Sequence, residues 1–356
     1  MPPATDSRIT EQPQIDLGAL SAACTRIEAS KAAKLAQEIW GIEGQLTRLD
    51  TEKDDTFALI SSGTKLIFKI ANPAESAQEL DLQVKTLLHL KARAPDLPVP
   101  QVLPARDGRA LVALPGPDGP RLARMMSYLE GDVLDTLPPV AAEQYRIGEI
   151  NARLRLAMAD FRHPFAARQI AWDVRHLPAL AGLLDHVDDP CQRKPLTMAF
   201  DQITAMADRI NALPRQILHN DFSRSNLLVD RTRAQSLTGI IDFGDVVETA
   251  VAIDLSTAML NQLPRDETEL GHEEMFTGAT RLFEGHIAHA PLGPTERQLL
   301  PHLVFARVVT RALLTLWRAK KFPENRTYIL RNTNQGWAQL DWYLCQDPAK
   351  LSTRLL

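Results

Sequence analysis

The chain has 356 residues, 45% apolar and 24% charged, with a formal net charge of -4. That balance is ordinary for a globular protein, and the length allows two lobes with sizeable cores. No apolar run approaches the ~20 residues that cross a bilayer, the negative balance gives no basic footprint for nucleic acid, and the scattered cysteines Cys24, Cys191 and Cys345 argue against disulfides and zinc.

A small-molecule partner, no membrane, no nucleic acid and a cytoplasmic location are therefore the expectation. The first residues lack the basic start and apolar core of a secretory signal, and residues 1–20 are expected to form a flexible tail. Within Lys31 to Trp40, Ala32, Leu35, Ala36 and Ile39 recur at helical spacing, and Gly41 and Gly44 follow as a turn. Leu46 to Leu49 and Phe57 to Ile60 read as strands around a polar turn, Thr51 to Thr56, that contains no glycine. Lys65 to Ile70 is a strand by its β-branched and aromatic content, with Lys69 among apolar neighbours. Taken alone, that lysine is more often a solvated face.

Pro73 to Leu90 has the apolar stripe Leu80, Val84, Leu87 and Leu88 of a helix, with Gln83, Glu79 and Asp81 as its polar residues. Strands are expected at Val99 to Leu103, Ala110 to Leu114 and Arg124 to Leu129, with Ser127 to Gly131 as a hinge. This closes a first lobe, residues 21–129. Residues 130–356 read as a second, mainly helical lobe: Val140 to Ala159, a region from Trp172, Met198 to Leu213, Glu248 to Met259, Gly271 to His289, Glu296 to Lys320 and Thr327 to Leu344. His163 reads as a capping or surface histidine. Asp254 stands in an apolar run, so a buried, paired carboxylate holding a neighbouring loop is expected there.

Between these helices, His219-Asn220-Asp221 is followed by Asn226, five residues after the aspartate, and by Asp242-Phe243-Gly244-Asp245, with strand-like segments between. This is the H-x-D-x-x-x-x-N loop and D-F-G turn of phosphoryl-transfer enzymes. One carboxylate must reach the acceptor hydroxyl while an amide oxygen and a second carboxylate reach metal ions on the phosphates. In that frame Lys69 becomes the phosphate anchor, Thr51 and Lys53 lie where the donor phosphates pass, and the backbone of Tyr128 and Leu129 faces the purine base. Gln83 falls where a glutamate would pair with the lysine. Arg224, inside the loop, could meet a phosphate or face solvent. No glycine-rich loop and no A-P-E segment are present, so a protein kinase is not indicated.

On these motifs the chain resembles the aminoglycoside phosphotransferase and choline kinase superfamily, and within it the hydroxylysine kinase group. Further patches carry the likeness: Leu49 to Asp54, Phe68 to Glu75, Leu80 to Gln83, Leu97 to Pro100, Asp160 to Pro164, Trp172-Asp173 and Phe322 to Asn325. The resemblance implies an α+β, bilobal protein-kinase-like fold, with a five-stranded antiparallel sheet and a helix in the first lobe and helices in the second. It implies Asp221 as catalytic base, Asn226 and Asp242 as Mg2+ ligands, Lys69 as phosphate anchor, His219 as a brace for the loop, and ATP or GTP as donor to a hydroxylated small molecule, in a monomer or homodimer. Asn220 stands where the family often has glycine. Asp245 and Glu248 are the carboxylates nearest in sequence for an acceptor's ammonium group, and Arg307, Arg311 and Arg318 share a helical region where they could meet a carboxylate or solvent. An amino acid or amino alcohol of hydroxylysine type is the expected acceptor. An aminoglycoside, a homoserine- or choline-type acceptor and a nucleotide-binding pseudokinase are the alternatives.

Overall fold

The computed structural model describes residues 24–49, 51, 54–265 and 274–356, so the expectations for residues 1–20 and for Lys53 lie outside the described residues. Helix α1, Ala29–Trp40, ends on Gly41, whose φ of 74° is the left-handed conformation that closes a helix and that glycine adopts without strain. It covers one face of an antiparallel sheet in which β1 (Gln45–Leu49), β2 (Asp55–Ser61), β3 (Thr64–Ile70) and β6 (Gly119–Ser127) lie side by side. The far edge of β6 is shared by β4 (Val102–Leu103) and β5 (Val112–Gly116). Among the described residues the sheet thus has six strands where five were expected. The tight turn at Pro117-Asp118, with Gly119 at φ 113°, lets the chain double back and starts β6 five residues earlier than expected.

The two faces of this sheet do different work. Phe57, Leu59, Leu66, Phe68, Ile70, Ala123 and Met125 pack under α1 with Ala32, Leu35 and Trp40. By strand alternation Lys69 and Arg124 point the other way, directly opposite one another in register. Across from them lies α2, Ala77–Arg93, which begins at a capping box between Ser76 and Glu79 rather than at Pro73. Its residues Leu82, Val84, Leu87 and Leu90 belong to the large core of the second lobe.

That lobe is built on α3 (Ala141–Ala157), α4 (Pro190–Thr204), α5 (Ala207–Asn211), α6 (Val251–Leu260), α7 (Thr277–Ile287) and α8 (Pro294–Lys321), with α9 (Arg326–Leu330), α10 (Asn334–Leu344) and α11 (Pro348–Ser352) behind. A 3-10 stretch, Val174–His186, precedes α4. Helices α3 and α7 meet at Gly148 and Gly285, where an added Cβ would lie 1.9 Å from the Leu282 carbonyl oxygen and 2.0 Å from that of Tyr145. Helix α8 is, by length and composition, apolar enough to span a bilayer, contrary to the reading of the sequence. With 89% of its apolar window buried inside the fold, it is the core helix around which the others pack.

Small strands frame the cleft: β7 (Asp132–Val133), β9 (Leu227–Val229) and β10 (Leu237–Ile240) form one sheet, β8 (Arg215–Leu218) and β11 (Val247–Ala250) another. Residues 248–250 were expected to open a helix. They pair with β8 instead, and the Glu248 N–H is spent on the Ala166 carbonyl, so the helix starts only at Val251.

Candidate active site

Strand β8 delivers His219 to the floor of the cleft, and three interactions then set the loop. The imidazole Nδ1 accepts the Asp221 N–H at 3.3 Å, and Nε2 lies 3.1 Å from the Ile241 carbonyl, so the hydrogen sits on Nε2. The ring edge rests on Phe243 at 4.6 Å. Asn220 adopts φ 61°, a conformation that glycine and asparagine tolerate best, and donates its N–H to Asp254 Oδ1 at 2.6 Å. Asp254 sits on the fully buried α6 and also accepts from Asn151. The left-handed residue turns the chain sharply, which sends the next side chain, Asp221, toward the cleft.

Asn226 closes the loop by donating Nδ2 to Asp221 Oδ2 at 2.7 Å and to the Asp221 carbonyl at 3.0 Å. Its Oδ1 is thereby left as an acceptor. Asp242, at φ 59°, is exposed and caps the Gly244 N–H with Oδ1. Burial pushes the Asp221 carboxyl up to about 6, with the negative charges of Asp245 and Asp242 adding to it, against Arg307 and His219. Asp254 is likewise pushed up, by burial first.

One cation reaches this centre from the far side. Arg307 on α8 is only 6% exposed, donates Nη1 to the Trp172 carbonyl, stacks its guanidinium 5.5 Å from the Trp172 ring and brings Nη2 to 3.9 Å from Asp221 Oδ1. That Nη2 makes no hydrogen bond among the described residues. One turn on, Arg311 is pushed down to about 10 by burial and by the charges of Arg307 and Arg265.

The donor set fits a magnesium ion. Among the described residues no three His, Cys, Asp or Glu side chains form a cage; beside Asp221 stand the Asn226 amide oxygen and the exposed Asp242 carboxylate. Magnesium is characteristically held that way, by few protein oxygens together with water and substrate phosphates.

The sheet side of the cleft departs from the expected pairing. Lys69 Nζ lies 3.1 Å from Asp54 Oδ2, in the turn before β2. Gln83 Oε1 instead accepts from Arg124 Nη2 at 2.8 Å. Burial alone would raise Asp54, but Lys69, Arg124 and the Asn72 N–H outweigh it and hold its carboxyl below the ordinary carboxylate range. The Thr51 hydroxyl is engaged with the Asp54 carbonyl at 2.7 Å and so props this turn. Glu79 pairs with Arg168 at 2.8 Å, and Arg168 also donates to the Gly244 and Val246 carbonyls. It therefore ties α2 to the segment after Asp242. At the hinge, Tyr128 donates its N–H to the Lys65 carbonyl, while the Leu129 backbone makes no hydrogen bond among the described residues.

Other expectations are corrected. Arg224 does not face solvent: it is 3% exposed and donates to the Leu134 and Leu137 carbonyls. His163 caps the Phe165 N–H with Nδ1 at 3.2 Å, as a capping histidine should, but its side chain is buried rather than at the surface, and Nε2 lies 3.0 Å from Asp81 on α2. Glu248 lines a separate hollow of about 410 Å³ with Arg162, His163 and Arg215, away from Asp221. Asp54, Arg124 and Arg168 were not singled out by the sequence reading. Consecutive acids before an apolar strand marked Asp54, whereas Arg124 and Arg168 become visible only through tertiary pairing.

The family described as "Phosphotransferase enzyme family" matches residues 46–289. A hydroxylysine kinase of Mus musculus is 21% identical, over 87% of this chain and 88% of its own length. Among solved structures, a microcompartment-associated aminopropanol kinase superposes with a TM-score of 0.69 at 22% identity, covering 91% of this chain and 99% of that one. An amicoumacin kinase in complex with AMP-PNP and Ca2+ gives 0.67 at 14% identity, covering 92% and 98%. Both solved structures share the fold of this chain.

Proposed function

Because the chain belongs to the phosphotransferase enzyme family, we propose that it transfers the γ-phosphate of ATP or GTP to the hydroxyl of an amino acid of hydroxylysine type. The acceptor oxygen attacks the γ-phosphorus, the bond to the β,γ-bridging oxygen breaks, and the hydroxyl proton passes to Asp221, which Asn226 and the His219 brace hold in place. Lys69 faces the donor phosphates. Asn226 and Asp242 would hold magnesium, which when bound offsets phosphate charge. Burial makes Asp221 more basic than an ordinary carboxylate, which favours its taking that proton.

The acceptor class rests on one observation, Arg307. A buried guanidinium, fixed on Trp172 with an unspent Nη2 beside the catalytic carboxylate, suits a substrate carboxylate. An amino alcohol has no such group and an aminoglycoside brings only positive charge. Asp245 supplies negative charge near Asp221 for the ammonium end. The hydroxylysine kinase supports the same acceptor chemistry, and the AMP-PNP-bound neighbour supports a nucleotide donor. The pseudokinase alternative draws on Gln83 in place of glutamate and on the glycine-free turn Thr51 to Thr56; the pairing of Lys69 with Asp54 weighs against the first of these.

A screen of hydroxylysine, homoserine, aminopropanol and aminoglycosides with both nucleotides tests the reading. Hydroxylated amino acids should give the highest kcat/KM, and Arg307→Met should raise their KM about tenfold while leaving that of an amino alcohol in place. Aminoglycosides turned over faster than every amino acid would overturn it.

A further inference from the structure

Lys69 and Arg124 are opposed in register on β3 and β6 and project from the same face of the sheet, toward α2 and the cleft. Lys69 leans to Asp54, and the place on α2 that the motif reserves for the lysine's partner is bonded to Arg124 instead. Arg124 is 4% exposed, and its Nη1 is buried with no hydrogen-bond partner. A buried, charged donor left unpaired is costly, and such groups mark places where an acceptor arrives.

The charge balance points the same way. Among the described residues, Lys69 and Arg124 carry two positive charges against the one negative charge of Asp54, because Gln83 is neutral. One positive charge remains unbalanced in a corner where Arg124 and Asp54 are each 4% exposed and Gln83 6%. A glutamate at position 83 would cancel it. The corner is therefore matched to an anion delivered from the cleft, and the phosphate chain of a nucleotide is the anion that this cleft takes.

We propose that Arg124 is a phosphate-binding residue, a second cation that acts with Lys69 on the non-transferred phosphates of the donor, and that Gln83 orients Arg124 without neutralising it. The inference rests on the phosphotransferase reading above. Asp54 is then the counterion of the nucleotide-free corner, sharing Lys69 with the incoming phosphate. Arginine suits the task because its planar fork can keep Nη2 on Gln83 while Nη1 turns to a phosphate oxygen.

Calorimetric titration of the full chain with adenosine, ADP and ATP in the presence of Mg2+, and with the guanine counterparts, tests this. Arg124→Met should weaken ADP and ATP binding roughly tenfold or more and leave adenosine binding within about twofold. Gln83→Glu should also weaken ADP binding, since the new carboxylate captures Arg124 as an ion pair. If Gln83 were merely a lost glutamate, that variant would bind as tightly as wild type or tighter. Unchanged ADP binding in a folded Arg124→Met, judged by its melting curve, overturns the proposal while wild-type nucleotide binding leaves the phosphotransferase reading standing. Should Arg124→Met fail to fold, Gln83→Glu decides, and unchanged or tighter ADP binding overturns it. A wild type that binds no nucleotide removes both.

Discussion

Two sides of one cleft obey different constraints. In the catalytic loop the bond that fixes Asp221 is local, from Asn226 five residues away, and the loop is braced from α6, where Asp254 takes the Asn220 N–H. On the sheet side, Asp54, Lys69, Gln83 and Arg124 come from a turn, a strand, a helix and a distant strand. Bond making at phosphorus demands oxygen atoms at fixed separations, so one short loop must carry them. Offsetting phosphate charge demands only enough positive charge nearby, and that can be assembled from any elements that converge. The first arrangement is constrained residue by residue, the second only in its sum.

The largest effect should follow from breaking the constrained side. Asp221→Asn should lower kcat about 10²–10⁴-fold, the usual contribution of a positioned base, with nucleotide affinity unchanged in calorimetry. Next comes a test of the two adjacent acids, which serve opposite ends. Asp54 faces Lys69, whereas Asp55 is fully buried among Arg48, Arg121 and the Ile27 N–H. Asp55→Asn leaves Arg121 buried without its charge partner and should cost about 3–5 kcal/mol in denaturant unfolding. Burial opposes ionisation of Asp55, yet Arg48, the Ile27 N–H and Arg121 hold its carboxyl below the ordinary range. Its contribution is therefore present above about pH 3.9 and is lost as pH falls through the lower folded value, and Asp55→Asn should flatten that acid-dependent loss.

The smallest effect concerns Asn220, where the family often has glycine. Its φ of 61° suits glycine, and both polar atoms of its side chain are buried without partners. Asn220→Gly should stay within about 1 kcal/mol of wild type, on the stabilising side, with the loop geometry and kcat kept. A large loss of stability or of kcat would show that the asparagine side chain holds the loop.

The same contrast explains what was legible in the sequence. The spacing of Asp221, Asn226 and Asp242, and the strand carrying Lys69, could be read because each is local: a loop of set length, or the β-branched and aromatic content of Lys65 to Ile70. The bond between Gln83 and Arg124 joins positions 41 residues apart, and no periodicity encodes which strand lies opposite β3. Arg168 is hidden for the same reason, since its partners lie 76 to 89 residues away. The strand at residues 247–250 was missed because it runs directly into the apolar stretch Ala250 to Ile253, so a short strand entering a buried helix looks like one helix.

The central claim is transfer to a hydroxylated amino acid, and following the γ-phosphate tests it most directly. With γ-labelled ATP or GTP and hydroxylysine or homoserine, the wild type should place the label on the acceptor, and Asp221→Asn should not. Label released only as inorganic phosphate with every acceptor, or equal transfer by Asp221→Asn, would contradict the account.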